Sequence, residues 1–143
     1  MLFKTIVYLW FFSLHGLSCP CSVEYANDTL LQTLNGNVQG VCNKIEINYA
    51  RVSSILNPDV ITWLSIPYAE PPINANRFKP PVPVRNWTNT RDGTVNPKSC
   101  LQQFHLISDE DCLYLNIYSS AKTYKNRATT LKPILVFIHG ASL

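Results

Sequence analysis

What the chain lacks narrows its possible roles. Its 12 Lys and Arg against 9 Asp and Glu leave a formal net charge of only +3, with the charges scattered singly. The densest basic group, Lys125-Asn126-Arg127, sits in a polar stretch. A nucleic-acid binder shows a basic stripe or a recognisable module, and the absence of both excludes nucleic acid as a partner. There is no C-x-x-C pair and no metal-type His spacing, so the 5 cysteines point to disulfides, and neither a metal nor another cofactor is expected. No internal repeat or low-complexity tract occurs. The apolar run near the start, Thr5 to Leu14, falls short of the about 20 residues that span hydrocarbon. What remains is a globular composition, 46% hydrophobic and 15% charged, in a length that permits one modest domain.

The first residues, MLFKTIVYLWFFSLHGLSCPCS, place one early cation, Lys4, before the apolar run and small residues after it. That order is the pattern of a secretory signal peptide. We read residues 1–21 as the leader and 22–143 as the body, with secretion as the destination. Gly16 and Ser18 suit cleavage after Ser18, whereas Cys19 and Cys21 suit cleavage after Cys21. Cleavage after Cys21 leaves Cys42, Cys100 and Cys112, an odd set in which one thiol lacks a partner. Asn27-Asp28-Thr29 and Asn86-Trp87-Thr88 both match the N-glycosylation acceptor pattern.

Along the body, Asn35-Gly36 predicts a hairpin turn, with Val38 to Asn48 as its second arm. Val60 to Ile66 reads as a strand after the Asn57-Pro58-Asp59 turn. Six prolines fall between Pro67 and Pro83. They exclude helix and sheet interior and predict an irregular crossing, anchored by Ile66, Tyr68, Phe78 and Trp87. In Cys112 to Tyr118, Leu113, Leu115 and Ile117 alternate with Tyr114, Asn116 and Tyr118, as in a half-buried strand. Ser119 to Lys132 reads as a polar loop. Ile134 to Ile138 is apolar without alternation, as in a strand of a parallel sheet covered on both faces.

The phrases IPYAEPP, RFKPPVP, EDCLYLNIY and ILVFIHG occur here in that order. From about Asn37 to Leu143 the chain closely resembles the opening part of the type-B carboxylesterase and cholinesterase family, which also contains the non-catalytic, neuroligin-like adhesion proteins. The resemblance implies an α/β fold, the N-terminal part of an α/β-hydrolase: small hairpin, proline-rich crossing and first strands of the central sheet. By the same resemblance, Cys100 and Cys112 form the first disulfide, and Arg77 and Glu110 form an internal salt bridge. A cross-linked loop of that size restricts the unfolded chain by about 3 kcal/mol.

His139-Gly140-Ala141-Ser142 aligns with the family's His-Gly-Gly-Gly turn, whose backbone N–H groups form the oxyanion hole. The resemblance therefore places the donors on Ala141 and Ser142, with Gly140 in the turn and His139 as a turn residue. The donors are backbone groups, so alanine and serine still possess them, although a Cβ restricts conformations open to glycine. Two further family glycines are replaced, by Ser65 in Ser-Ile-Pro and by Asn74 ahead of Arg77-Phe78. The loop aromatics are only Phe104 and His105, so the tryptophan with which cholinesterases stack on choline is missing.

No G-x-S-x-G occurs in the 143 residues. In this fold the nucleophilic serine, the acid and the histidine all follow the oxyanion turn, so no catalytic residue is expected within the chain and Ser142 reads as a turn residue. The expectation is a truncated gene product. Its complete form is a secreted hydrolase of small-molecule carboxylic esters, or alternatively a neuroligin-like ectodomain with an adhesion partner. A third reading is a stub without enzymatic function.

Overall fold

A computed structural model describes residues 21–45, 58–102 and 107–140. The body opens with a single helical turn, α1 (Val23–Ala26), and an antiparallel pair, β1 (Leu30–Gln32) and β2 (Asn37–Gln39). The Asn35-Gly36 turn stands between them as expected. Thr33 holds it, its N–H donating to the Gly36 carbonyl at 3.0 Å and its hydroxyl to the same oxygen at 2.7 Å. Gly36 has φ +151° and no room for a side chain, since a Cβ would meet the Trp87 indole at 2.4 Å.

The second arm departs from the sequence expectation. It does not continue from Val38 to Asn48; it breaks at Gly40, and β3 (Val41–Lys44) joins a different sheet. The cause is a close crossing. A Cβ at Gly40 would lie 2.4 Å from the Thr62 carbonyl and 2.5 Å from the Trp63 ring, so only glycine lets the chain pass. Residues 46–48 lie outside the described residues.

The longest strand is β4 (Asp59–Pro67), overlapping the expected Val60 to Ile66. A short β5 (Arg91–Asp92) runs parallel to β2. Two-residue strands β6 (Ser99–Cys100) and β7 (Ser108–Asp109) pair in parallel, and β8 (Tyr114–Ser120) runs antiparallel to β4. The sheets are thus β1-β2-β5, β3-β4-β8 and β6-β7. The stretch read as a polar loop instead begins with a helix, α2 (Ala121–Lys125). Ser120 caps it, its Oγ accepting from the Thr123 N–H at 3.1 Å.

The core lies between β4, α2 and the N-terminal segment. Cys21, Val38, Cys42, Ile61, Trp63, Ile66, Ala121 and Tyr124 form it, with Tyr25, Leu31 and Trp87 packed against them. Full burial of Val38 and Ile61 contributes roughly 1.5–3 kcal/mol each. Trp63 ties the parts together: its Nε1 donates to the Thr29 carbonyl at 2.8 Å and its ring lies 4.6 Å from that of Tyr124. The Tyr124 hydroxyl in turn donates to the Leu30 carbonyl at 2.7 Å.

β8 overlaps the stretch where alternation predicts a strand, beginning two residues later, and its alternation is visible in the burial of its first residues. Leu115 and Ile117 are exposed, while Tyr114 and Asn116 are half-buried. Asn116 lies at the bulge of β4 between Trp63 and Ile66, where its Oδ1 accepts from the Ser65 N–H at 3.0 Å. Leu115 is 40% and Ile117 36% exposed, so their side of the strand is only partly covered by the described residues.

Ser65, one of the replaced glycines, keeps a left-handed φ of +56°, and Asn74, the other, has φ +48°. A β-carbon at such a φ costs about 1 kcal/mol, less for asparagine. Ser65 offsets this with a hydroxyl bond of 2.6 Å to the Val95 carbonyl, a bond of about 1 kcal/mol. Ser65→Gly removes both effects and leaves stability nearly unchanged; Ser65→Ala keeps the strain and loses the bond. Urea unfolding should therefore place the alanine variant about 1 kcal/mol below the glycine variant. Equal stability of the two would contradict this account of the bulge.

Candidate functional site

The expected oxyanion turn starts at His139-Gly140, the last described positions, and its two donors, Ala141 and Ser142, lie outside the described residues. A Cβ on Gly140 would meet nothing within 4 Å. The run leading to the turn does not form the expected covered strand. Ile134, Leu135, Val136, Phe137 and Ile138 are 88%, 93%, 75%, 72% and 87% exposed, and none belongs to a strand. A strand of that composition needs a ladder partner and cover on each face, and the described residues provide neither.

The proline-rich crossing, which sets the distance between β4 and the loop of Cys100 and Cys112, folds back on itself. Ala69 bridges Pro83, and the Glu70 N–H donates to the Val82 carbonyl at 2.9 Å. Glu70 closes the loop: its carboxylate accepts from the Arg85 N–H at 2.8 Å and from Arg85 Nη2 at 3.1 Å. The Arg85 hydrogen bonds hold the Glu70 carboxyl below its usual range. The expected anchors divide. Ile66 is buried and Trp87 packs on the core, but Tyr68 is half exposed and Phe78, at φ +59°, is fully exposed. The polar clasp joins the two arms beside the apolar anchors Ile66 and Trp87, and the tip carrying Phe78 is exposed.

Beside the clasp is a cleft of about 280 Å³ whose lining includes Glu70, Arg85, Trp87, Arg91, Asp111 and Tyr114. Arg91 lies 4.7 Å over the Trp87 ring. Partial burial, then the neighbouring Asp111 carboxylate, pushes the Tyr114 hydroxyl up to about 12. It is therefore protonated at neutral pH and unsuited to act as a base. Glu70, on the same lining, is engaged by Arg85.

Cys100 and Cys112 are bonded, their Cα atoms 5.0 Å apart. Arg77 pairs with Glu110 at half-exposed side chains, so this ion pair positions the crossing and adds little stability. Lys98 donates to Asp109 at 2.8 Å across the paired β6 and β7; that bond lowers the Asp109 carboxyl and raises the Lys98 ammonium. Phe104 and His105 lie outside the described residues.

Cys42, whose partner the sequence left open, is bonded to Cys21, their Cα atoms 5.5 Å apart. Nothing in cysteine spacing singled out this pair, because Cys21 sat within the presumed leader. Of the two glycosylation acceptors, Asn86 is exposed and its Oδ1 accepts from Asn35 at 2.9 Å. Asn27 is also exposed, but its Thr29 is buried with the hydroxyl accepting from Gln39 at 2.6 Å. No group of three or more His, Cys, Asp or Glu among the described residues could hold a metal ion.

Residues 27–143 match the model of the Carboxylesterase family. The chain is 41% identical to human cocaine esterase over 103 residues, covering 61% of this chain and 18% of that protein. It is 33% identical to mouse carboxylesterase 1F, covering 88% of this chain and 24% of the relative. Among solved structures, a PNB esterase superposes with a TM-score of 0.50 at 30% identity, over 65% of this chain and 17% of its own. The chain therefore spans less than a quarter of the length of these relatives.

Proposed function

The chain belongs to the carboxylesterase family, and we propose that it supplies the N-terminal part of a secreted serine hydrolase acting on small-molecule carboxylic esters. The observation that carries this reading is the family match through residues 27–143, which takes in the whole His139-Gly140-Ala141-Ser142 run. In this reading the N–H groups of Ala141 and Ser142 stabilise the oxygen that becomes negative when an ester carbonyl is attacked. The attacking serine, its histidine and its acid belong to chain outside these residues, and an acyl-enzyme forms on that serine. The disulfide of Cys100 and Cys112 and the pair of Arg77 and Glu110 hold the crossing in place. The leader and the two glycosylation acceptors, Asn27 and Asn86, fit an extracellular destination. The relatives above are esterases by name, so an adhesion role gains nothing from them.

The test is hydrolysis of p-nitrophenyl acetate. A protein carrying these residues within a chain of the relatives' length should turn it over, whereas the 143 residues alone should not exceed a heat-treated control. Turnover by the short chain alone would overturn the division of roles.

A further inference from the structure

From the bond between Cys21 and Cys42 we infer that the leader is cut between Ser18 and Cys19, so that the mature protein keeps Cys21. This rests on the secretory reading above and settles a point that the sequence leaves open. Small residues at the last and third-last leader positions allow only two cuts, after Ser18 with Gly16 or after Cys21 with Cys19. The second discards a residue that the fold uses. Cys21 is 7% exposed and Cys42 8%, both within the core cluster. Cys42 sits in β3 directly opposite Ile61 of β4, so the bond ties the start of the body to the strand that pairs with β4. The next residue is engaged as well: the Ser22 carbonyl accepts from the Tyr25 N–H at 2.9 Å to open α1.

Removal of Cys21 would leave a buried thiol on β3 and free the chain ahead of α1. A cut after Ser18 instead leaves Cys19 and Pro20 ahead of the bonded residue. In the step itself a signal peptidase adds water across the Ser18–Cys19 peptide bond, giving a carboxylate on Ser18 and an amine on Cys19. The disulfide forms by exchange with a disulfide donor of the lumen, the two thiols being oxidised as the donor is reduced.

The test is translation of the whole chain into the secretory route of cultured animal cells. The product is then alkylated without reduction, and its amino terminus and linked peptides are mapped by mass spectrometry. The expected product begins at Cys19 and contains a peptide joining Cys21 to Cys42. Ser18→Trp should abolish cleavage at that bond. Cys42→Ser should keep the Cys19 terminus while making the Cys21 thiol alkylatable. A product cleaved elsewhere, beginning at Ser22 or at another internal residue that is not Cys19, overturns the inference and leaves the secretory reading standing. A product that retains Met1 overturns that reading, and the inference with it.

Discussion

Replacing Ala141 with proline, in a protein of the relatives' length, should lower kcat on a simple ester by about 10²–10³-fold with a much smaller change in KM. Proline has no N–H, so the substitution deletes one of the two donors assigned to the oxyanion. Loss of one such donor costs roughly 3–4 kcal/mol of transition-state stabilisation, because the bond is made to charge that develops only in the transition state. Ala141→Gly is the matching control. It keeps the N–H and restores the residue type of the family's turn, so its kcat should stay at or above that of the parent. The donors are main-chain groups, and for that reason a side-chain difference from the family pattern at Ala141 and Ser142 does not by itself remove the chemistry. If Ala141→Pro keeps full kcat at an unchanged thermal midpoint, the assignment of this donor is wrong.

The second large effect concerns the fold. Trp63→Ala should destabilise the protein by about 3–5 kcal/mol, read as a fall in the urea midpoint. Trp63 is 1% exposed. Its indole fills the space between β4, α2 and the segment ahead of β1, so truncation leaves a cavity and removes one of the two donors to the Thr29 carbonyl, the Gly40 N–H at 2.9 Å remaining. Trp63→Phe separates the contributions: it keeps most of the ring packing against Tyr124 and loses the hydrogen bond, for a smaller cost of about 1–2 kcal/mol. Equal losses in the two variants would mean that ring volume is not what holds this junction.

The legible and illegible parts of this chain differ by the range of the interactions that decide them. β4 could be read because its β-prone apolar run is local and its turn precedes it. The Asn35-Gly36 turn could be read because positive φ is a property of the residue itself. The second arm could not, since the break at Gly40 is imposed by Thr62 and Trp63 more than twenty positions later. α2 was hidden by polar composition, yet its cap, Ser120 bonding to Thr123, was a usable local signal. In β8 alternation reports which residues share a side and not which side is covered. Phe78 and Tyr68 look like core residues from composition alone, but both are exposed on a crossing that folds back on itself at Ala69 and Pro83. Of the candidate site, the disulfide and ion-pair positions came from resemblance to a family. The bond of Cys21 to Cys42 was not legible because the leader pattern extends to that residue. The oxyanion donors rest on sequence alone.

The most direct measurement is the position of covalent labelling by a fluorophosphonate on the protein of the relatives' length, mapped by peptide mass spectrometry. The account predicts one adduct, on a serine within a G-x-S-x-G segment outside residues 1–143, and none on the 143-residue chain alone. An adduct on Ser142, or ester hydrolysis by a protein that takes up no label, would contradict the placement of this chain as the oxyanion-bearing part of a serine esterase.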